Sequence, residues 1–297
     1  MLFEGSAVAI VTPFNEDLTV DYESYENLID FHLKNKTDAI VACGTTSEAS
    51  TLTKEEKLKL INITIEKCKG KIPVIVGTGS NNTLESANFS KEVSAINGVD
   101  ALLVVTPYYN KATQNGLYYH FKTIAEYSQK PIILYNVPSR TNVNIDVKTV
   151  VELSRIENII AIKDATADLN YTLKLRNEVD DNFAIYSGND NIILPMVASG
   201  ANGVISVLAN IFPNVSHDIC SEFFKGNIQK SKELQLKYQN LINDLFNEVN
   251  PVPVKSAMEM LGLCNEFVRL PLSISNSDTK EKLKNDLEKL NLKVKND

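Results

Sequence analysis

In "NIIAIKDAT", residues 158–166, four apolar residues run into Lys163. An ammonium at the end of such a strand is costly to desolvate, and partial desolvation lowers its pKa. The free amine can then attack a carbonyl and form an imine. The competing account is a lysine that snorkels to water or pairs with an acidic neighbour. "YNVP" and "TPYYNK" set Tyr135 and Tyr109 beside other strand-like runs, and "GTT" adds Thr45 and Thr46. Hydroxyls in series can shuttle protons to and from an imine where no histidine or carboxylate is at hand. Each tyrosine can equally be a core aromatic whose hydroxyl reaches water. Arg140, five residues after Tyr135, can hold a carboxylate through two parallel hydrogen bonds or be a surface arginine. No residue here is specific singly; their joint placement at successive strand ends is what carries weight.

The elements that must position them repeat. Eight apolar or β-branched runs, "SAVAIVTPF", "AIVACGT", "PVIVGTG", "ALLVVTPYY", "PIILYNVP", "NIIAIKDAT", "FAIYSGND" and "GVISVLAN", begin 20 to 34 residues apart. Runs of this kind fit strands buried on both faces, as in parallel sheets. Helical signals fill the intervals. "TKEEKLKLINITIEKCKG" has the capping-box spacing at Thr53 and Glu56, a predicted face of Leu58, Ile61, Ile65 and Cys68, and a stop at Gly70. "DYESYENLIDFHLKNK" sets Tyr22, Tyr25, Leu28, Ile29 and Leu33 at helical spacing. Strand then helix, eight times, predicts an α/β fold, the (β/α)8 TIM barrel, with its chemistry at the C-terminal strand ends. A doubly wound open sheet uses the same alternation, although no GxGxxG turn follows the first run. Alternation along the sixth strand puts Ile159 and Ala161 on the face of Lys163, with Ile160 and Ile162 opposite. Beyond the eighth run the chain reads as helical and charged. The expected division is therefore 1–225 for the barrel and 226–297 for a helical C-terminal domain. Its amphipathic stretches "ELQLKYQNLINDLFNEV" and "TKEKLKNDLEKLNLKVKN" are separated by the proline-punctuated "NPVPVKSAMEMLG".

Composition excludes several classes. The 297 residues carry a net charge of −7, from 30 basic and 37 acidic side chains with no basic cluster, which argues against nucleic acid. No apolar run approaches the ~20 residues that cross a bilayer. "MLFEGSAVAIVTPF" has no basic leader and carries Glu4, so the expected location is cytoplasmic. Cys43, Cys68, Cys220 and Cys264 form no CxxC pair, and His32, His120 and His217 have no ligand spacing. Neither a metal nor a disulfide framework is expected.

"GTTSEAS", "VTPYYNK", "ILYNVPSRT", "IIAIKDAT", "YSGND" and "GVISVLAN" together resemble the ordered motifs of the dihydrodipicolinate synthase family. The resemblance runs from "GSAVAIVTPF" through "PVPVK" to "RLPL", nearly the whole chain. It implies a barrel with a helical C-terminal domain and a metal-free, cofactor-free class I mechanism in lysine biosynthesis by the diaminopimelate route. It further implies that Lys163 forms a Schiff base with pyruvate and that Tyr135 donates and accepts protons. Thr45 and Tyr109 would complete the relay, Tyr109 from across a subunit interface. Thr46 and the backbone at Ile205 would hold the pyruvate carboxylate. Gly188 would lie beside the pocket, and Arg140 would bind the carboxylate of L-aspartate 4-semialdehyde. The enamine of pyruvate would attack the aldehyde, and the product amine would displace Lys163 during cyclisation to 4-hydroxy-tetrahydrodipicolinate. A homo-oligomer is implied, a tetramer built as a dimer of dimers, although some relatives are dimers.

The chain departs from the family pattern in places. Ser47 stands in "GTTSE" where glycine is common, and Asp164 follows the lysine where glutamate is frequent. The positions matching the family's regulatory lysine site are Ala49, Ser50, Lys54, Lys57, Asn81, Glu85 and Tyr108. Lys54 and Lys57 replace histidines of the lysine-sensitive enzymes of many Gram-negative bacteria, and like charges at ~4 Å cost roughly 1 kcal/mol even in water. Weak or absent inhibition by L-lysine is the expectation. Two other readings share the lysine: another pyruvate-dependent lyase, such as N-acetylneuraminate lyase or a keto-deoxy-sugar-acid aldolase, and a non-catalytic barrel that senses pyruvate or lysine. Thr45, Thr46, Tyr109 and Arg140 favour the synthase over the first. The intact lysine and hydroxyl relay argue against the second.

Overall fold

A computed structural model describes residues 1–294. Eight parallel strands close on themselves: β1 (Gly5–Ala9), β2 (Ala39–Ala42), β3 (Val74–Gly77), β4 (Ala101–Val105), β5 (Ile132–Asn136), β6 (Ile159–Asp164), β7 (Ala184–Ser187) and β8 (Gly203–Ser206). β8 pairs with β1, Gly5 opposite Gly203, which rules out the open doubly wound sheet. The seam needs glycine: Gly203 has φ 150°, and a Cβ there would sit 1.9 Å from the Gly5 carbonyl oxygen.

Each strand buries two faces. The inner one is built of mostly small and medium side chains, among them Ala7, Ala9, Val41, Ile75, Leu103, Ile133, Ala161, Ala184 and Ile205. Tyr186 stacks on Phe3 with centroids 4.2 Å apart and donates its hydroxyl to the Phe3 carbonyl at 2.8 Å. That pair fills the barrel where β1 enters. The outer face packs against α1 (Tyr22–Lys34), α2 (Lys54–Cys68), α3 (Thr83–Ser94), α4 (Gln114–Tyr127), α6 (Val147–Leu153), α7 (Leu169–Glu178), α8 (Ile193–Ala198) and α9 (Pro213–Phe224), while the short α5 (Pro138–Thr141) sits at the strand ends beside the cavity. α10 (Ile228–Asp244), α11 (Val252–Met260) and α12 (Ser277–Lys289) follow.

Three expectations change. On α2 the capping box at Thr53 and Glu56 is present, but the buried stripe is Leu60, Ile61, Thr64 and Cys68. Leu58 and Ile65 are only half-buried, and Thr64 comes inside because its hydroxyl lies 2.8 Å from that of Tyr25 on α1. On β6, Ile159 does not share the face of Lys163. Ile132 pairs with Ile159 but Ile133 with Ala161, and this bulge sends Ile159 to the outer core and brings Ile160 against the inner one. The stretch "NPVPVKSAMEMLG" is not merely a break, since it contains α11. Pro253 lies in that helix's first turn, where a missing amide costs nothing. The expected helix at the end of the chain is α12; Lys295, Asn296 and Asp297, part of the expected 226–297 unit, lie outside the described residues.

Candidate active site

The C-terminal ends of β5 and β6 bring the two leading candidates together. Tyr135 and Lys163 are register partners across those strands, and Lys163 Nζ lies 4.4 Å from the centroid of the Tyr135 ring. Lys163 is only 6% exposed. Its neighbour Asp164 points to the outer side, where it accepts from the Thr166 amide at 2.9 Å and the Thr172 hydroxyl at 2.8 Å. Burial pushes the Asp164 carboxyl above its ordinary range against those hydrogen bonds.

The strand ends open on a cavity of about 840 Å³ whose wall includes Thr45, Leu103, Val105, Tyr135, Val137 and Arg140. Arg140 comes from α5, which starts two residues after β5 with Pro138 in its first turn. Its Nη2 donates to the Asn250 carbonyl at 3.0 Å, and the Thr46 hydroxyl accepts from Asn250 Nδ2, also at 3.0 Å. Thr46 is buried and, unlike Thr45, does not line the cavity. Ile205 is on β8, on the inner face. The backbone just past it is fixed by Asp190, whose Oδ2 accepts the amides of Val207 and Leu208 at 2.9 Å. Burial pushes the Asp190 carboxyl up, against hydrogen bonds from Ser206, Leu208 and Val207 and, least, the charge of Lys163. Gly188, at the end of β7, is pressed on Ala165, where a Cβ would come 2.5 Å from that of the alanine.

Tyr109 is not brought to the cavity. It is 90% exposed, in a left-handed turn at φ 74°, while its neighbour Tyr108 lines the wall. Of the expected regulatory positions, Ala49, Ser50, Lys54, Lys57, Glu85 and Tyr108 line the far part of this same cavity. Asn81 does not, and its carbonyl accepts from Asn110. Lys54 pairs with Glu92 at 2.7 Å, and Lys57 lies 5.7 Å from the Phe89 ring centroid. Ser47, the departure from glycine, fits without a left-handed backbone. Its hydroxyl donates to the Ile10 carbonyl at 2.6 Å, and its carbonyl accepts from Thr12.

Asp190, Asn250 and the Glu48–Lys255 pair were not anticipated. Lys255 carries the same signal as Lys163, a lysine closing an apolar run in "PVPVK", and Asp190 stands in "YSGND". Among the described residues no group of three or more His, Cys, Asp or Glu side chains could hold a metal ion. The four cysteines are free and buried, and burial pushes the thiols of Cys43, Cys68 and Cys264 up to about 12. No described helix is long and apolar enough to cross a membrane.

Residues 2–290 match the family described as the dihydrodipicolinate synthetase family. The chain is 47% identical over 291 residues to a 4-hydroxy-tetrahydrodipicolinate synthase of Alkaliphilus oremlandii, covering 98% of this chain and 100% of that protein. The solved dihydrodipicolinate synthase of Aquifex aeolicus superposes with a TM-score of 0.96 at 44% identity, over 99% of this chain and 100% of that one. A structure described as the first monomeric dihydrodipicolinate synthase variant superposes with a TM-score of 0.95 at 39% identity, over 98% of each chain.

Proposed function

The chain belongs to the dihydrodipicolinate synthetase family, and from that premise we propose that it condenses pyruvate with L-aspartate 4-semialdehyde to 4-hydroxy-tetrahydrodipicolinate through an imine on Lys163. The observation that carries this reading is the buried Lys163 ammonium against the face of Tyr135 at the mouth of a closed barrel. The amine attacks the pyruvate ketone; water leaves, and the protonated imine serves as electron sink while a methyl proton is lost. The enamine adds to the aldehyde, whose oxygen takes up a proton. The amino group of the second substrate then attacks the imine carbon and releases Lys163. In this reading Tyr135 carries the protons, with Thr45 beside it on the cavity wall and Tyr109 supplied by a partner copy. Thr46 and the Ile205 backbone hold the pyruvate carboxylate, Gly188 keeps room beside the pocket, and Arg140 takes the second carboxylate at the entrance.

Assembly and location belong to the same proposal. An exposed Tyr109, with Leu84 and Leu270 also exposed, supports a homo-oligomer, read as a tetramer in the cytoplasm. The division at about residue 225 into a catalytic barrel and a C-terminal helical domain is likewise part of this reading. L-lysine is expected to inhibit weakly or not at all. The Lys54 charge is balanced by Glu92, so the opposing cation for a bound lysine is chiefly Lys57. A steady-state assay showing strong inhibition would refute this.

The decisive experiment is a borohydride trap: incubate with pyruvate, reduce, digest and locate the added mass. Addition at Lys163, followed by turnover with aspartate semialdehyde and none with sialic acid, is the expected result. Addition at another lysine, or none, would reject the assignment.

A further inference from the structure

The segment between β2 and α2 presents Thr45 and Thr46 on a backbone that needs holding. Glu48 sits at φ 55°, a left-handed conformation unfavourable for any residue with a Cβ. Its amide donates to the Thr45 carbonyl at 3.0 Å, closing the turn that carries both threonines. The Glu48 side chain does not go to solvent. Oε1 accepts from Lys255 Nζ at 2.6 Å, with side-chain exposures of 1% and 0%, and Oε2 accepts from the Arg269 amide at 3.0 Å. Lys255 also donates to the Phe267 carbonyl and lies 4.2 Å from the Phe14 ring centroid. Five residues before Lys255, Asn250 donates to the Thr46 hydroxyl, and its carbonyl accepts from Arg140. Asn250 Oδ1 is buried with no partner among the described residues, so Thr46 is what orients that side chain.

A buried ion pair is weak evidence for stability, because apolar side chains of the same volume do as well or better; what it supplies is one specified geometry. Here the pair joins the threonine turn to α11, and Asn250, two residues ahead of α11, touches both Thr46 and Arg140. We propose that residues 250–269 form a latch that fixes the spacing between Thr46 and Arg140, with Glu48, Lys255 and Asn250 as its positioning residues. This rests on the reading of Thr46 and Arg140 as the groups that hold the two substrate carboxylates. None of the three latch residues need touch a reacting atom.

The test reads borohydride trapping at Lys163 over a range of pyruvate concentrations, together with both KM values, kcat and the melting temperature. It compares wild type, Asn250→Ala, Glu48→Gln and the double variant. Asn250→Ala cuts the link without disturbing a buried charge. It is expected to raise half-saturating pyruvate about tenfold, equivalent to about 1.4 kcal/mol, with the aldehyde KM less affected because Arg140 keeps the main-chain carbonyl of residue 250, and with kcat and melting temperature little changed. Glu48→Gln keeps the shape and loses the charge, and is expected to give the same KM rise with a lower melting temperature. The double variant should be no worse in KM than the more affected single one, since both act through one link. A merely stabilising role would lower the melting temperature and leave KM alone. Unchanged half-saturation in Asn250→Ala, or multiplying effects in the double variant, would overturn the latch while trapping at Lys163 still upholds the reading of the site. If Glu48→Gln fails to fold, Asn250→Ala alone decides. No trapping in wild type would overturn the site reading and the latch with it.

Discussion

Two lysines are buried at the same end of this molecule, and burial has been settled differently for each. Lys255 meets a carboxylate, a backbone carbonyl and an aromatic face. Burial pushes its pKa down and Glu48 pulls it back. Lys163 forms no salt bridge among the described residues, and the group it faces is the ring of Tyr135 beside an open cavity. Lys163 itself does not line that cavity and lies behind the Tyr135 ring. An ammonium whose donors are all engaged specifies structure, whereas one with donors to spare can give up a proton and react as the amine. Both close an apolar run in the sequence, so it is the partner set that separates the two roles.

Substitutions should split along that line. Lys163→Ala is expected to lower kcat on the order of 10³-fold or more, as loss of a covalent nucleophile does, while urea unfolding stays within about 1 kcal/mol of wild type. Residual activity within tenfold of wild type would end the distinction. Lys255→Met should do the opposite to folding, leaving Glu48 buried without its cation and costing about 3–5 kcal/mol in urea unfolding. A Lys255→Met protein as stable as wild type would mean that the pair contributes no structural specification. Tyr135→Phe comes next and sharpens the first side. It should lose roughly 10²-fold in kcat, the scale of a lost proton-transfer group, yet still be trapped by borohydride at Lys163. Loss of trapping would assign Tyr135 to imine formation itself.

The repeat of eight apolar runs was enough to read parallel strands alternating with helices, because strands buried on both faces leave an unbroken apolar signature. Closure into a barrel rests on the pairing of β8 with β1, which periodicity does not distinguish from an open sheet. Lys163, Tyr135, Thr45 and Arg140 drew notice because they stand at or just past the ends of those runs, and Thr45, Tyr135 and Arg140 share one cavity wall. Contacts between residues far apart in sequence could not. Glu48 and Lys255 are 207 positions apart, and Asn250 and Thr46 are 204 apart, so neither pairing leaves a local pattern. The bulge that turns Ile159 outward is a register event between β5 and β6, invisible to alternation within one strand. Tyr109 is a different case, since nothing in a single chain completes its surroundings.

A third way of settling a buried base is to keep it neutral, and His32 and His120 do this. Burial alone lowers their pKa values from 6.5 to about 3 and about 4. Each Nδ1 has a threonine hydroxyl partner, Thr37 or Thr83, and each Nε2 is buried without a partner among the described residues. As pH falls below 6.5 the unfolded chain takes up these protons and the native one does not. Stability is therefore lost through the window from about 6.5 down towards 4 and 3, at about 1.4 kcal/mol per pH unit for each histidine. Glu56 adds to the loss only at lower pH, because its carboxyl is held below 4.5 by Arg269. Asp164 and Asp190 act the other way, since their carboxyls, raised by burial, take up a proton first in the native state. Urea midpoints between pH 7 and 5 read the sum of these effects, and His120→Gln should remove one histidine's share of the slope. A slope unchanged by that substitution would mean that His120 accepts its proton in the folded protein, and that a buried base here can carry charge without the partners Lys255 requires.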